Sequence, residues 1–172
     1  MKKNLVYIFT ILLFLSCEDD NQSIIFGCTN DLAVNYNSTA TEDDGSCILS
    51  GCTDESASNY DSTAIEDDGS CFHYTVFAGN YYYDPQNLTI NVGQTVRWIN
   101  DGGYHDVNGE INSLNNEPFD NPEVFNSDAI SELGAVIFSY TFQAPGVYHY
   151  DCSVGGHASN GMIGTVTVNT IE

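Results

Sequence analysis

Three textures follow one another along the chain. Leu5 to Leu15 is apolar apart from Thr10 and stands behind Lys2 and Lys3. A run of that length is too short to span a bilayer, which takes about 20 apolar residues, and it matches the core of an export signal. From Gly27 to Cys71 large apolar residues almost vanish. From Tyr74 onward short alternating runs are separated by turn residues, the pattern of an antiparallel sandwich or barrel. The pattern predicts strands near Tyr74–Ala78, Leu88–Val92, Thr95–Asn100, Ala135–Phe142, Gly146–Cys152 and Ile163–Asn169. Leu88, Ile90 and Val92 share one face of the second. Val96 and Trp98 share one face of the third, with Arg97 pointing away. Val166 and Val168 alternate with Thr165 and Thr167 in the last. Gly93-Gln94 reads as a tight hairpin between the second and third strands, and Ala144-Pro145-Gly146 as the turn before Val147. Asn108 to Gly134 reads as an irregular excursion with one short helix. A loop that long in a compact domain is functional or poorly ordered.

The middle texture is an internal repeat. Gly27 to Cys47 reads GCTNDLAVNYNSTATEDDGSC and Gly51 to Cys71 reads GCTDESASNYDSTAIEDDGSC, with 15 of 21 positions identical at an offset of 24. Neither unit holds enough apolar residues for a core. The simplest staples are Cys28–Cys47 and Cys52–Cys71, and a crossed connectivity stays open from sequence alone. Closing a loop of about 20 residues stabilises it by roughly 3 kcal/mol in the chain-entropy model. Clustered carboxylates at Asp43, Asp44, Asp67 and Asp68 are hard oxygen ligands of the kind calcium takes. Their spacing departs from the twelve-residue calcium loop, and solvated acidic turns at Gly45 and Gly69 account for them equally well.

Composition sharpens the function classes. The 172 residues carry 24 Asp plus Glu against 3 Lys plus Arg, a formal charge of -21. Loss of Lys2 and Lys3 with the leader leaves Arg97 as the sole cation. Such a chain repels phosphate backbones, which excludes nucleic-acid binding. The acidity is shared: residues 18–73 carry 13 acids and residues 74–172 carry 11. It points to a cationic partner, with association weakening as salt rises.

Cys152 is the one Cys of the third texture, and in an exported protein a lone thiol is a ligand or a nucleophile. His157 and Met162 follow at intervals of five, in CSVGGHASNGM, and His105 sits in NDGGYHDV after the third strand. A thiolate, two imidazoles and a thioether are the ligand set of a blue-copper electron-transfer site. Zinc rarely takes a thioether. His73 and His149 lie outside the set, since His149 alternates away from the face of Tyr148, Tyr150 and Cys152. A strand ending at Cys152 and another starting at Ile163 bring three ligands to one hairpin end, and His105 must come from a neighbouring strand end.

Four resemblances follow from these residues. Leu15-Ser16-Cys17 after the apolar core resembles the lipobox of bacterial lipoproteins, in which the Cys thiol is lipidated. Phe14 stands where that family usually has Leu. Glu18-Asp19-Asp20 resembles the signal that sends some lipoproteins of the Bacteroidetes group to the cell surface. The repeats resemble GCTD…DDGSC modules of surface and secreted proteins from marine Bacteroidetes. VGQTVRWIND…HDV and FSYTFQAPGVYHYDCSVGGHASNGMIGTVTV resemble the cupredoxins, plastocyanin-like blue copper proteins. Their motifs are V-G-x-x-V-x-W-x-N…H-x-V and F-x-x-x-F-x-x-P-G-x-Y-x-Y-x-C…H…G-M-x-G-x-x-x-V. The spacing from Cys152 through His157 to Met162 is that of the plantacyanin-like and rusticyanin-like branches; in plastocyanin itself the Cys and His are closer. Asp106 stands where the family commonly has Asn, whose side chain ties the His strand to the Cys loop, here near Ser153.

The resemblances imply an all-β Greek-key sandwich holding copper at His105, Cys152, His157 and Met162, with Asp106 and Ser153 behind them. They imply residues 1–16 as leader, 17–26 as lipidated Cys17 and linker, 27–72 as two small stapled repeats with little regular structure, and 74–172 as the copper domain. The expected function is transfer of single electrons, without enzymatic activity, to a cationic redox protein such as a cytochrome. The expected location is the bacterial cell envelope, at the outer membrane or cell surface, with the membrane touched only through the lipid. Copper sequestration, or adhesion through the repeats, is the rival reading.

Overall fold

The computed structural model describes residues 23–171. The leader 1–16 and Cys17 lie outside the described residues. Among the described residues no helix is long and apolar enough to cross a membrane. The chain forms two compact units, the first comprising residues 23–31 and 35–47 of those described, the second 32–34 and 48–171.

The first unit is the first repeat. Its only regular pairing is parallel, between β1 (Phe26–Gly27) and β2 (Glu42–Asp43). With so little to bury, the unit is closed by the Cys28–Cys47 disulfide. Asp43 and Asp44 accept the N–H groups of Gly45 and Ser46 at 2.7 and 2.9 Å, the Asx turns that short acidic side chains favour.

The second unit begins with the second repeat, built the same way from β3 (Ser50–Gly51) and β4 (Glu66–Asp67) and closed by Cys52–Cys71. Asp67 and Asp68 cap Gly69 and Ser70 in the same manner, at 3.0 and 2.9 Å. His73 joins this repeat to the sandwich. Its Nδ1 accepts the Thr95 N–H at 3.1 Å and its Nε2 faces Asp54 at 3.0 Å. Arg97, on the outer side of its strand, lays its guanidinium 3.5 Å from the centre of the Phe72 ring.

The sandwich itself has seven strands: β5 (Tyr74–Gly79), β6 (Tyr82–Asp84), β7 (Asn87–Asn91), β8 (Thr95–Asn100), β9 (Val136–Thr141), β10 (Gly146–Asp151) and β11 (Ile163–Asn169). One sheet runs β6-β5-β8-β9 and the other β10-β11-β7, the all-β architecture expected from the alternating pattern. Alternate residues of each inner face supply the core: Val76 and Ala78, Val96 and Trp98, Tyr148 and Tyr150, Val166 and Val168, all buried.

Two expectations are corrected. Gly93-Gln94 does not close a hairpin. β7 pairs with β11 and β8 with β5 and β9, so the turn carries the chain from one sheet to the other, with Gly93 at φ +86 and its N–H bonded to the Phe142 carbonyl. Both flanking strands bury alternate apolar residues, and sequence alternation is the same whether neighbours pair in one sheet or face across two. The excursion from Asn108 to Gly134 holds no helix. It is pinned by isolated bridges, Asn108 to Asn126 and to Asp151, Ile111 to Pro118, and His105 to Ile130. Its polar side chains satisfy local backbone groups instead, as Asn108, Asn112 and Asn115 do, which competes with helix formation. Phe125 from this loop is 3% exposed and packs among Trp98, Phe138, Tyr140, Phe142, Tyr148 and Tyr150.

Candidate metal centre

The site forms where β10 ends. Asp151 pairs with Ile163 across the β10–β11 ladder, so the eleven intervening residues must turn back within a narrow gap. A single 3₁₀ turn, Ala158–Asn160, and three backbone bonds close that loop. Cys152 donates to the Met162 carbonyl at 3.1 Å, Met162 to His157 at 3.1 Å, and His157 to Val154 at 2.9 Å. Cys152 and Met162 are fully buried, while His157 keeps partial exposure.

His105 arrives from the loop after β8 and is 1% exposed. Its backbone exchanges two bonds with Ile130, at 3.1 and 3.0 Å, so the long excursion is what holds the histidine at the strand end. Its Nε2 lies 2.9 Å from the Gly102 carbonyl. A carbonyl only accepts, so Nε2 carries the proton and the Nδ1 lone pair is free for a metal. Burial lowers the His105 pKa, which keeps the imidazole neutral. Gly103, at φ +108, lies so close beneath the ring that a Cβ there would strike Nε2.

The donors converge. His105 Nδ1 and His157 Nδ1 are 3.2 Å apart, Cys152 Sγ is 3.4 Å from His157 Nδ1 and 3.8 Å from His105 Nδ1. A point equidistant from three atoms so spaced lies ~2.0 Å from each, a transition metal–imidazole bond length. Burial pushes the Cys152 thiol up to about 12, so the free site holds a thiol that a soft metal must deprotonate. One thiolate with two neutral imidazoles suits copper by both distance and donor type. Among the described residues this is the one cluster of three or more His, Cys, Asp or Glu side chains placed to hold a metal. Asp43, Asp44, Asp67 and Asp68 belong to none.

Behind the donors, Asp106 is 6% exposed and accepts two hydrogen bonds from Ser153, from N–H at 2.7 Å and from the hydroxyl. His105 and Cys152 are thereby strapped together through their next residues. A second buried carboxylate, Asp151, went unnoticed in the sequence. It accepts from Asn108 Nδ2 at 2.9 Å and from the Ser113 N–H and hydroxyl at 2.7 and 2.9 Å, fixing the excursion to the Cys152 strand. Its burial raises its pKa. The Gly102-Gly103 doublet beside His105 was the one sequence signal for the tight packing under that ring.

Comparison with known proteins agrees with this chemistry. Residues 70–169 match the family described as copper binding proteins, plastocyanin/azurin family. A plastocyanin from Scenedesmus fuscus is 34% identical over 99 residues, covering 53% of this chain and 90% of that protein. A halocyanin from Natronomonas pharaonis is 38% identical over 95 residues, covering 53% of this chain and 52% of that one. Among solved structures, a purple cupredoxin from Nitrosopumilus maritimus is 31% identical, covers 56% of this chain and 99% of its own, and has a TM-score of 0.42. The match runs over more than half of the sequence and takes in His105, Cys152, His157 and Met162: the chain belongs to the plastocyanin/azurin family of copper binding proteins.

Proposed function

We propose that the protein is a type 1 copper protein that carries single electrons outside the cytoplasm, attached to the envelope through lipid on Cys17, and is not itself an enzyme. The observation that carries this reading is the donor triangle of His105, Cys152 and His157. Met162 is the fourth donor: it is buried, and its backbone bonds to Cys152 and His157 place it on the same loop. Bound copper supplies one-electron exchange between Cu(II) and Cu(I). The chain's part is to hold the donors and keep water out. Thiolate and thioether favour Cu(I) while the imidazoles serve both states. His105, Cys152 and Met162 are closed off, so His157 is the donor through which an electron leaves.

Two disulfides fit an oxidising compartment, and the amino-terminal sequence fits export. With 24 acidic residues against 3 basic ones, the favoured partner is a cationic redox protein such as a cytochrome, steered by long-range attraction. Adding Cu(II) to the purified metal-free protein and recording visible and EPR spectra tests the centre. An intense thiolate-to-copper band is expected, absent in Cys152→Ser; a wild-type protein without it overturns the reading. Mass spectrometry of the cell-extracted protein tests the anchor, with lipid on Cys17 expected and its absence refuting attachment there.

A further inference from the structure

Three consecutive tyrosines, Tyr81-Tyr82-Tyr83, run from the β5–β6 turn into β6, and each touches a different wall of the metal centre. Tyr81 stands against His157, ring centroids 5.2 Å apart and planes at 88°. Tyr82 donates its hydroxyl to Asp101, at the head of the loop that carries His105, and its ring covers Gly79 so closely that no Cβ would fit there. Tyr83, buried, donates its hydroxyl to the Asp106 carbonyl at 2.5 Å and packs on Tyr150 at 4.8 Å.

Tyr81 also departs from backbone preference. Its φ is +64, in the left-handed region where a two-residue hairpin favours Gly or Asn. A bulky residue stays there only when its surroundings over-determine it. Core burial is not the cause, because Tyr81 is 48% exposed. What its ring does touch is His157, the least covered of the three clustered donors, carried on a loop with glycines at 155, 156 and 161. The other ring contacts of His157 are with its co-donors His105 and Cys152. The hairpin that presents Tyr81 is clamped on its other side by Tyr82 and Tyr83.

We infer that this tyrosine hairpin is a brace that presets the donor triangle before the metal arrives, with Tyr81 as the positioning residue for the His157 imidazole. The inference rests on the reading of His157 as a ligand.

Two variants test it. Tyr81→Gly removes the ring and accepts the positive φ without strain, whereas Tyr81→Phe keeps the ring. The readouts are the thermal midpoint and the His157 ring NMR signals of the metal-free protein, and the rate of copper loss to a chelator. Tyr81→Phe should match the wild type. Tyr81→Gly should keep or raise the thermal midpoint, broaden the His157 ring signals through motion, and lose copper about tenfold faster, as loss of an outer-shell partner does. A Tyr81→Gly protein with wild-type ring signals and wild-type copper loss overturns the inference. So does one that melts lower with its ring signals unchanged. A wild-type protein that takes up copper without His157 overturns the ligand reading instead, while the ring signals of the metal-free forms still report on the brace.

Discussion

Replacing Asp106 by Asn isolates one charge behind the donors. The carboxylate is 6% exposed and is bonded to the N–H and hydroxyl of Ser153. An Asn amide keeps that strap: its oxygen accepts the N–H, and its NH₂ donates to the Ser153 oxygen. What is lost is one negative charge beside both His105 and Cys152. At a separation of ~7 Å and an effective dielectric of ~20, a unit charge acts on another with about 2.4 kcal/mol. For a one-electron couple that corresponds to about 100 mV. The anion favours the more positive oxidised state, so Asp106→Asn should raise the midpoint potential by about that amount. Potentiometric titration followed at the visible thiolate band measures it, at two salt concentrations, since a charge this buried is weakly screened. A variant that keeps the band and shows an unchanged or lower midpoint refutes the reasoning.

Gly103→Ala should be worse than its size suggests. The residue sits at φ +108 directly under the His105 ring, so copper affinity should fall at least ~10-fold while circular dichroism shows the sandwich still folded. Phe125→Ala removes a side chain that is 3% exposed and packed among six aromatic rings, and should cost about 3–5 kcal/mol in urea unfolding of the metal-free protein; a cost under ~1 kcal/mol would show that Phe125 is not part of the core. Copper uptake should release one proton from Cys152, whose burial pushes its thiol up to about 12. Because the thiol stays protonated below that value, apparent affinity should rise about tenfold per pH unit from this group alone, which calorimetry in buffers of different ionisation enthalpy detects; a pH-independent affinity across neutral pH contradicts it.

How much of this was legible follows from which interactions are periodic. Alternation at Val96 and Trp98, or at Val166 and Val168, marks inner faces whatever the pairing, so six strands emerge from the sequence within a residue or so at each end. The same alternation says nothing about which strand lies beside which, and so Gly93-Gln94 reads as a hairpin when it is a corner between sheets. β6 escapes notice because it is three residues long, buries only Tyr83 and stands at the sheet edge. Phe125 has no periodic neighbours and is recruited by tertiary packing alone. At the site, Cys152, His157 and Met162 are readable because one short loop carries them. What holds them is not, since Ile130 and Tyr81 reach the centre from distant segments and Asp151 ties the Cys152 strand to the excursion through Asn108 and Ser113.

These distant supports bear on whether the centre carries electrons or stores metal. Each donor is fixed by bonds that need no metal: His105 through Gly102 and Ile130, Cys152 through Met162, His157 through Val154 and the Tyr81 ring. Asp106 and Ser153 then lock the two segments together. A storage site gains from donors that spread apart, because release of the ion must be easy. A carrier gains from donors that stay put, because any movement between oxidation states adds to the barrier for electron exchange. Donors held by hydrogen bonds and ring contacts that do not involve the ion favour the carrier. The discriminating quantity is the movement of His157, the one clustered donor with partial exposure, between metal-free, Cu(I) and Cu(II) forms.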